Sequence, residues 1–96
     1  MSEPRRLQVL LAGRVQGVGF RFFAVEQARR RGLTGWVRNR AGGQVEVLAE
    51  GAEEDLLDFL AALREGPPLA WIRSLAADWA PAAGEFARFE VLPSTY

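Results

Sequence analysis

Ninety-six residues, 49% of them hydrophobic and 25% charged, have the composition of one soluble globular domain whose core has little to spare. The chain has no cysteine and no histidine, and all twelve of its basic residues are arginine. These absences exclude a disulfide framework, thiol nucleophiles, histidine phospho-intermediates, Ser-His-Asp triads, typical zinc sites, a phosphate-binding lysine and Schiff bases.

Net charge is zero, so no global field recruits nucleic acid, but the charge is unevenly spread. Nine arginines and one acid, Glu26, lie between Pro4 and Val45, against ten acids and three arginines from Glu46 onward. A basic half on a neutral protein suits a small anion better than a long polyanion. No apolar run approaches the ~20 residues that span a bilayer. Met1-Ser2-Glu3-Pro4-Arg5-Arg6 does not lead into the apolar stretch and small-residue cleavage site of a signal peptide. A cytoplasmic protein without membrane contact is the expectation.

In chain order, Leu7–Ala12 reads as a mostly buried strand. Gly13-Arg14-Val15-Gln16-Gly17-Val18-Gly19 follows, a loop that glycine lets curl so that successive backbone N–H groups aim inward, as anion sites at helix N-termini require. From Phe20 to Arg31 the apolar positions Phe20, Phe23, Ala24 and Ala28 recur at helical spacing. Gly32 stands where a C-cap is needed, and Arg29-Arg30-Arg31 reads as a solvated helix end. Arg21 falls in the first turn, where the helix dipole disfavours a cation, which suggests that an anion is expected beside it.

Leu33–Arg40 is a strand, Ala41-Gly42-Gly43 a turn, and Gln44–Glu50 a half-buried strand alternating Val45, Val47 and Ala49 with polar residues; the two form a hairpin. A second helix, from about Ala52 to Arg64, opens on three acids, buries Leu56, Phe59, Leu60 and Leu63, and stops at Gly66-Pro67-Pro68. Ala70–Trp79 and the short Phe86–Leu92 are the last strands. The order βαββαβ with a short extra C-terminal strand predicts an α+β, ferredoxin-like two-layer sandwich on an antiparallel sheet, one domain over residues 1–96. That fold hosts many functions and names none of them.

A second constellation, Gly35-Trp36-Val37-Arg38-Asn39-Arg40-Ala41-Gly42-Gly43, ends the second strand. Asn39 near a glycine turn often serves only its own backbone. In a split βαβ arrangement, however, it can meet the glycine loop and Arg21 at one corner of the sheet. Loop amides and an arginine fork would then hold a phosphate-like anion, beside a carboxamide able to orient water without deprotonating it. With no strong base at hand, such a site suits phosphoryl transfer through a loose transition state. It favours a leaving group that needs no acid, such as the carboxylate of an acyl phosphate.

Leu11-Ala12-Gly13-Arg14-Val15-Gln16-Gly17-Val18-Gly19-Phe20-Arg21 resembles the first signature of the acylphosphatase family, and Gly35–Asn39 with Gly43-Gln44-Val45 and Gly51 resembles its second. The resemblance covers nearly the whole chain. It implies hydrolysis of a carboxyl–phosphate anhydride to carboxylate and inorganic phosphate, with no metal or cofactor. It implies that Arg21 binds the substrate phosphate, that Asn39 orients the attacking water, and that the backbone amides of Val15, Gln16, Gly17, Val18, Gly19 and Phe20 cradle the phosphate oxygens. A monomer acting on a small-molecule acyl phosphate is expected. An RNA-binding module of the same topology would need aromatics on the central strands, and residues 7–12 and 44–50 carry none. An acylphosphatase-like domain within a larger carbamoyl-transfer protein is the other alternative. Trp36, Trp71 and Trp79 read as core or edge packing, Arg14, Arg38 and Arg40 as exposed, and Ser74 and Asp78 as lacking the partners that nucleophilic catalysis requires.

Overall fold

The computed structural model describes residues 3–95, and its elements follow the order expected. They are β1 (Arg5–Arg14), α1 (Phe20–Arg30), β2 (Thr34–Asn39), β3 (Val45–Gly51), α2 (Glu53–Glu65), β4 (Trp71–Pro81) and β5 (Phe89–Val91). Period-two alternation sends Leu7, Val9 and Leu11 of β1 to the helix-covered face, opposite Ala49, Val47 and Val45 of β3. Onto these α1 lowers Phe20, Ala24 and Ala28, and α2 lowers Leu56, Phe59, Leu60 and Leu63. Each large side chain so removed from water contributes about 1.5–3 kcal/mol. Phe23, expected on the same face, is only half-buried and meets Phe20 edge-on at 5.9 Å. Gly32 completes the end of α1 as anticipated: its N–H reaches the Arg29 carbonyl at 3.1 Å and the Leu33 N–H the Ala28 carbonyl at 3.0 Å.

The strand order is β4-β1-β3-β2-β5, and the sheet is mixed where a wholly antiparallel one was expected. β5 runs parallel to β2, with Gly35 opposite Phe89 and Val37 opposite Val91. The cause is the route of the chain. β4 ends at Pro81 beside Arg5, at the end of the sheet where β3 finishes and β2 begins. Residues 82–88 cross along that end to the far edge, so the chain can enter β5 only in the direction of β2.

β3 also departs from its half-buried reading. Its outer residues Glu46 and Glu50 are 5% and 4% exposed, because side chains from the neighbouring strands lie across them. Gln8 Nε2 and Arg38 Nε donate to the Glu46 carboxylate, each at 2.9 Å. Arg38 and Arg40, read as exposed, both pair with Glu46, and Arg38 also lies over Trp36 at 4.7 Å from the ring.

Glu50 fastens the crossing segment. It accepts from Arg6 Nε at 2.8 Å and from the backbone N–H groups of Ala83 and Gly84 at 2.9 and 3.1 Å. Burial pushes its carboxyl up, but the Ala83 N–H, the Arg6 guanidinium and the Gly84 N–H together outweigh burial and hold it below the ordinary value of 4.5. The folded chain therefore binds this proton less readily than the unfolded one. The stabilisation is complete above the ordinary value and drains away as pH falls through the lowered one. Glu50→Gln is expected to cost on the order of 2–3 kcal/mol at neutral pH. It should also flatten the acid limb of stability, as thermal melts from neutral pH down to about pH 3 would reveal. An unchanged acid limb would remove Glu50 from this role.

Candidate active site

The site is assembled at the opposite end of the sheet, where β1 and β2 finish and α1 begins. Val15 is buried and anchors the loop that leaves β1, Val18 packs against the core, and Phe20 is buried at the start of α1. Between these anchors Gly17 and Gly19 take φ of 74° and 80°, a region in which an L side chain is strained. No atom lies within 4 Å of where their Cβ atoms would stand, so it is the turn of the backbone, not lack of room, that calls for glycine. Gln16 fixes the curl from outside. Its Nε2 donates to the Arg40 carbonyl at 2.9 Å and the Gln44 carbonyl at 2.8 Å, stapling the loop to the turn between β2 and β3.

Asn39 is the last residue of β2 and faces the helices, as Val37 does two residues earlier. Its backbone is held on both sides, by pairing with Val45 and by the Thr95 N–H, which reaches the Asn39 carbonyl at 3.0 Å. Its side chain is different. Asn39 is 9% exposed, yet its Oδ1 is buried with no hydrogen-bond partner among the described residues. Such an acceptor is costly to leave unmet.

Arg21 stands in the first turn of α1, which contains no acid. Six arginines elsewhere pair with carboxylates, whereas Arg21 has no acidic partner among the described residues. Arg21, Asn39, Val15, Gly17, Gly19 and Phe20 line one hollow of about 100 Å³. By volume that is roughly three waters, the scale of one phosphoryl group. The structure thus brings both predicted side chains and the glycine loop together. Of the predicted loop residues, Gln16 and Val18 send their side chains elsewhere.

Sequence reasoning missed Phe22, which lines the same hollow and is 84% exposed. The available signal was an aromatic residue on the polar side of α1, directly after Arg21. It also missed the role of the Gln16 side chain. Trp36 and Trp79 sit half-buried beneath arginines, in keeping with packing roles, but Trp71 is 62% exposed on the edge strand. Among the described residues no group of three or more Asp, Glu, His or Cys side chains is placed to hold a metal ion, and no helix is long and apolar enough to cross a membrane.

Comparison with known proteins gives this geometry its setting. The family model described as Acylphosphatase matches residues 7–91. A curated protein named Acylphosphatase from Methylococcus capsulatus is 49% identical over 88 residues, covering 92% of this chain and 96% of its own. The crystal structure of acylphosphatase from Bacillus subtilis superposes with a TM-score of 0.89 at 38% identity, over 92% of this chain and 98% of that one. Full-length HypF, solved in a phosphate- and nucleotide-bound form, matches at 30% identity and a TM-score of 0.89 over 97% of this chain, but over only 12% of its own. The chain belongs to the acylphosphatase family and is an enzyme that hydrolyses acyl phosphates.

Proposed function

We propose that the hollow binds the phosphoryl group of the acyl phosphate and that hydrolysis proceeds there without a metal. One observation carries the reading: among the described residues Arg21 has no acidic partner and the buried Oδ1 of Asn39 has no donor, and these two residues line one space of phosphoryl size. The N–H groups of residues 15–20 and the fork of Arg21 hold the phosphoryl oxygens. Asn39 Oδ1 accepts a hydrogen bond from a water molecule, which turns the oxygen lone pair toward phosphorus.

As the water oxygen bonds to phosphorus, the P–O bond to the acyl group breaks and its electron pair leaves on the carboxylate. The water proton passes to a phosphoryl oxygen, and inorganic phosphate is the product. A carboxylate departs without protonation, so no general acid is required. Little nucleophile deprotonation precedes a loose transition state, so no strong base is required either. Catalysis comes from positioning and from charge stabilisation in a preorganised cradle.

Residues 1–96 act in this reading as one domain, a cytoplasmic monomer whose partner is the small substrate and not nucleic acid or a membrane. The lack of aromatics on residues 7–12 and 44–50 supports the exclusion of single-stranded nucleic acid. Steady-state hydrolysis of benzoyl phosphate with excess chelator tests the proposal. The rate is expected to match that without chelator, with phosphate as a competitive inhibitor. Activity that collapses in chelator and returns with a divalent cation would rule out the metal-free mechanism.

A further inference from the structure

We propose that the groove adjoining the hollow receives the acyl part of the substrate and selects acyl groups that carry a second negative charge. The proposal rests on the preceding reading of the hollow. A space of about 100 Å³ holds the phosphoryl group, so the acyl group must extend out of it. Val15 lines that hollow and also a neighbouring groove of about 560 Å³, whose other walls include Arg14, Arg73, Trp71 and the Gly42-Gly43 turn. Val15 is therefore a wall common to both spaces, and the groove is the neighbouring space into which an acyl group leaving the hollow on that side would extend.

Three features fit this groove to an anion. First, neither Arg14 nor Arg73 has an acidic partner among the described residues, although carboxylates neutralise six of the other arginines. Two arginines without a carboxylate partner on one groove leave positive charge there that an anion would meet.

Second, Arg73 is aimed by a bulge. Ala12 pairs with Ser74 and Gly13 with Ile72, which leaves Arg73 as the extra residue between them. A bulge of this kind re-aims a side chain, and here the arginine it releases lines the groove. Third, the exposed Trp71 adds a flat apolar surface to the lining, and the Gly42-Gly43 turn adds no side chain to it. The substrate class that meets all three is an acyl phosphate with a carboxylate or phosphate remote from the anhydride. A bidentate contact from Arg73 would hold that second anion.

The test compares kcat/KM of the full chain for benzoyl phosphate and 3-carboxybenzoyl phosphate, each divided by its uncatalysed hydrolysis rate. The wild type is expected to prefer the carboxylated probe roughly three- to tenfold at low ionic strength, and the preference should fade as salt is added. Arg73→Gln should abolish the preference and Arg73→Glu reverse it, both leaving benzoyl phosphate turnover within about twofold. An unchanged preference in Arg73→Gln overturns the proposal, as does an equal loss on both probes, which would make Arg73 part of phosphoryl binding. Insensitivity to Arg73 combined with a raised KM for both probes in Phe22→Ser would seat the acyl group on Phe22 instead. If the wild type hydrolyses neither probe, the reading of the hollow itself fails, and this proposal with it.

Discussion

Arg21→Ala is expected to abolish hydrolysis of benzoyl phosphate, with a loss of roughly a thousandfold or more in kcat/KM. Inhibition by inorganic phosphate should disappear with it. Both effects follow from the same arrangement. Arg21 lines a hollow of phosphoryl size, stands at the positive end of α1, and has no acidic partner among the described residues. In the proposed reaction it is free to meet the charge that the three phosphoryl oxygens carry into the transition state. Arg21→Lys keeps the charge but loses the fork, and should recover only a small part of the rate. The fold should not suffer, since Arg21 is only half-buried. A melting temperature within a few degrees of wild type would separate lost chemistry from lost structure. Wild-type turnover in Arg21→Ala would end the assignment.

Asn39→Ala should behave differently. Its kcat is expected to fall by about a hundredfold to a thousandfold, while inhibition by phosphate changes only a few-fold. The distinction arises because Asn39 is proposed to hold the water and not the anion. Removing Oδ1 also relieves the fold of a buried acceptor that has no donor among the described residues, so stability should hold or rise slightly. Asn39→Asp keeps the shape and can still accept from water, but sets a negative charge beside the phosphoryl group. That variant should weaken phosphate inhibition as well as kcat. A parallel loss of kcat and phosphate affinity in Asn39→Ala would transfer Asn39 to the anion cradle and remove the water-positioning step.

Much of this was legible in the chain because the relevant signals are local. The spacing of Leu56, Phe59, Leu60 and Leu63 marks α2, and all four are buried. Glycines at 17 and 19 announce a backbone turn that the φ values bear out. What was not legible depends on which elements become neighbours. The mixed sheet follows from residues 82–88 crossing at the Glu50 end, and no strand pattern records a crossing route. Alternation in β3 identifies the core face. It says nothing of Gln8, Arg6 and Arg38 reaching over from adjacent strands to bury Glu46 and Glu50. The staple made by Gln16 is invisible for the same reason, since its carbonyl partners lie 24 and 28 residues away.

The C-terminal run has a mechanical meaning beyond its contribution to the sheet. It is fastened near its start by Glu50, and it ends at Thr95, whose N–H bears on the Asn39 carbonyl. The segment links, like a tie rod, a titrating anchor to the amide proposed to aim the water. Slack admitted at the anchor by acid is passed along the rod as misalignment at the far end, so turnover should falter in acid before the molecule as a whole comes apart.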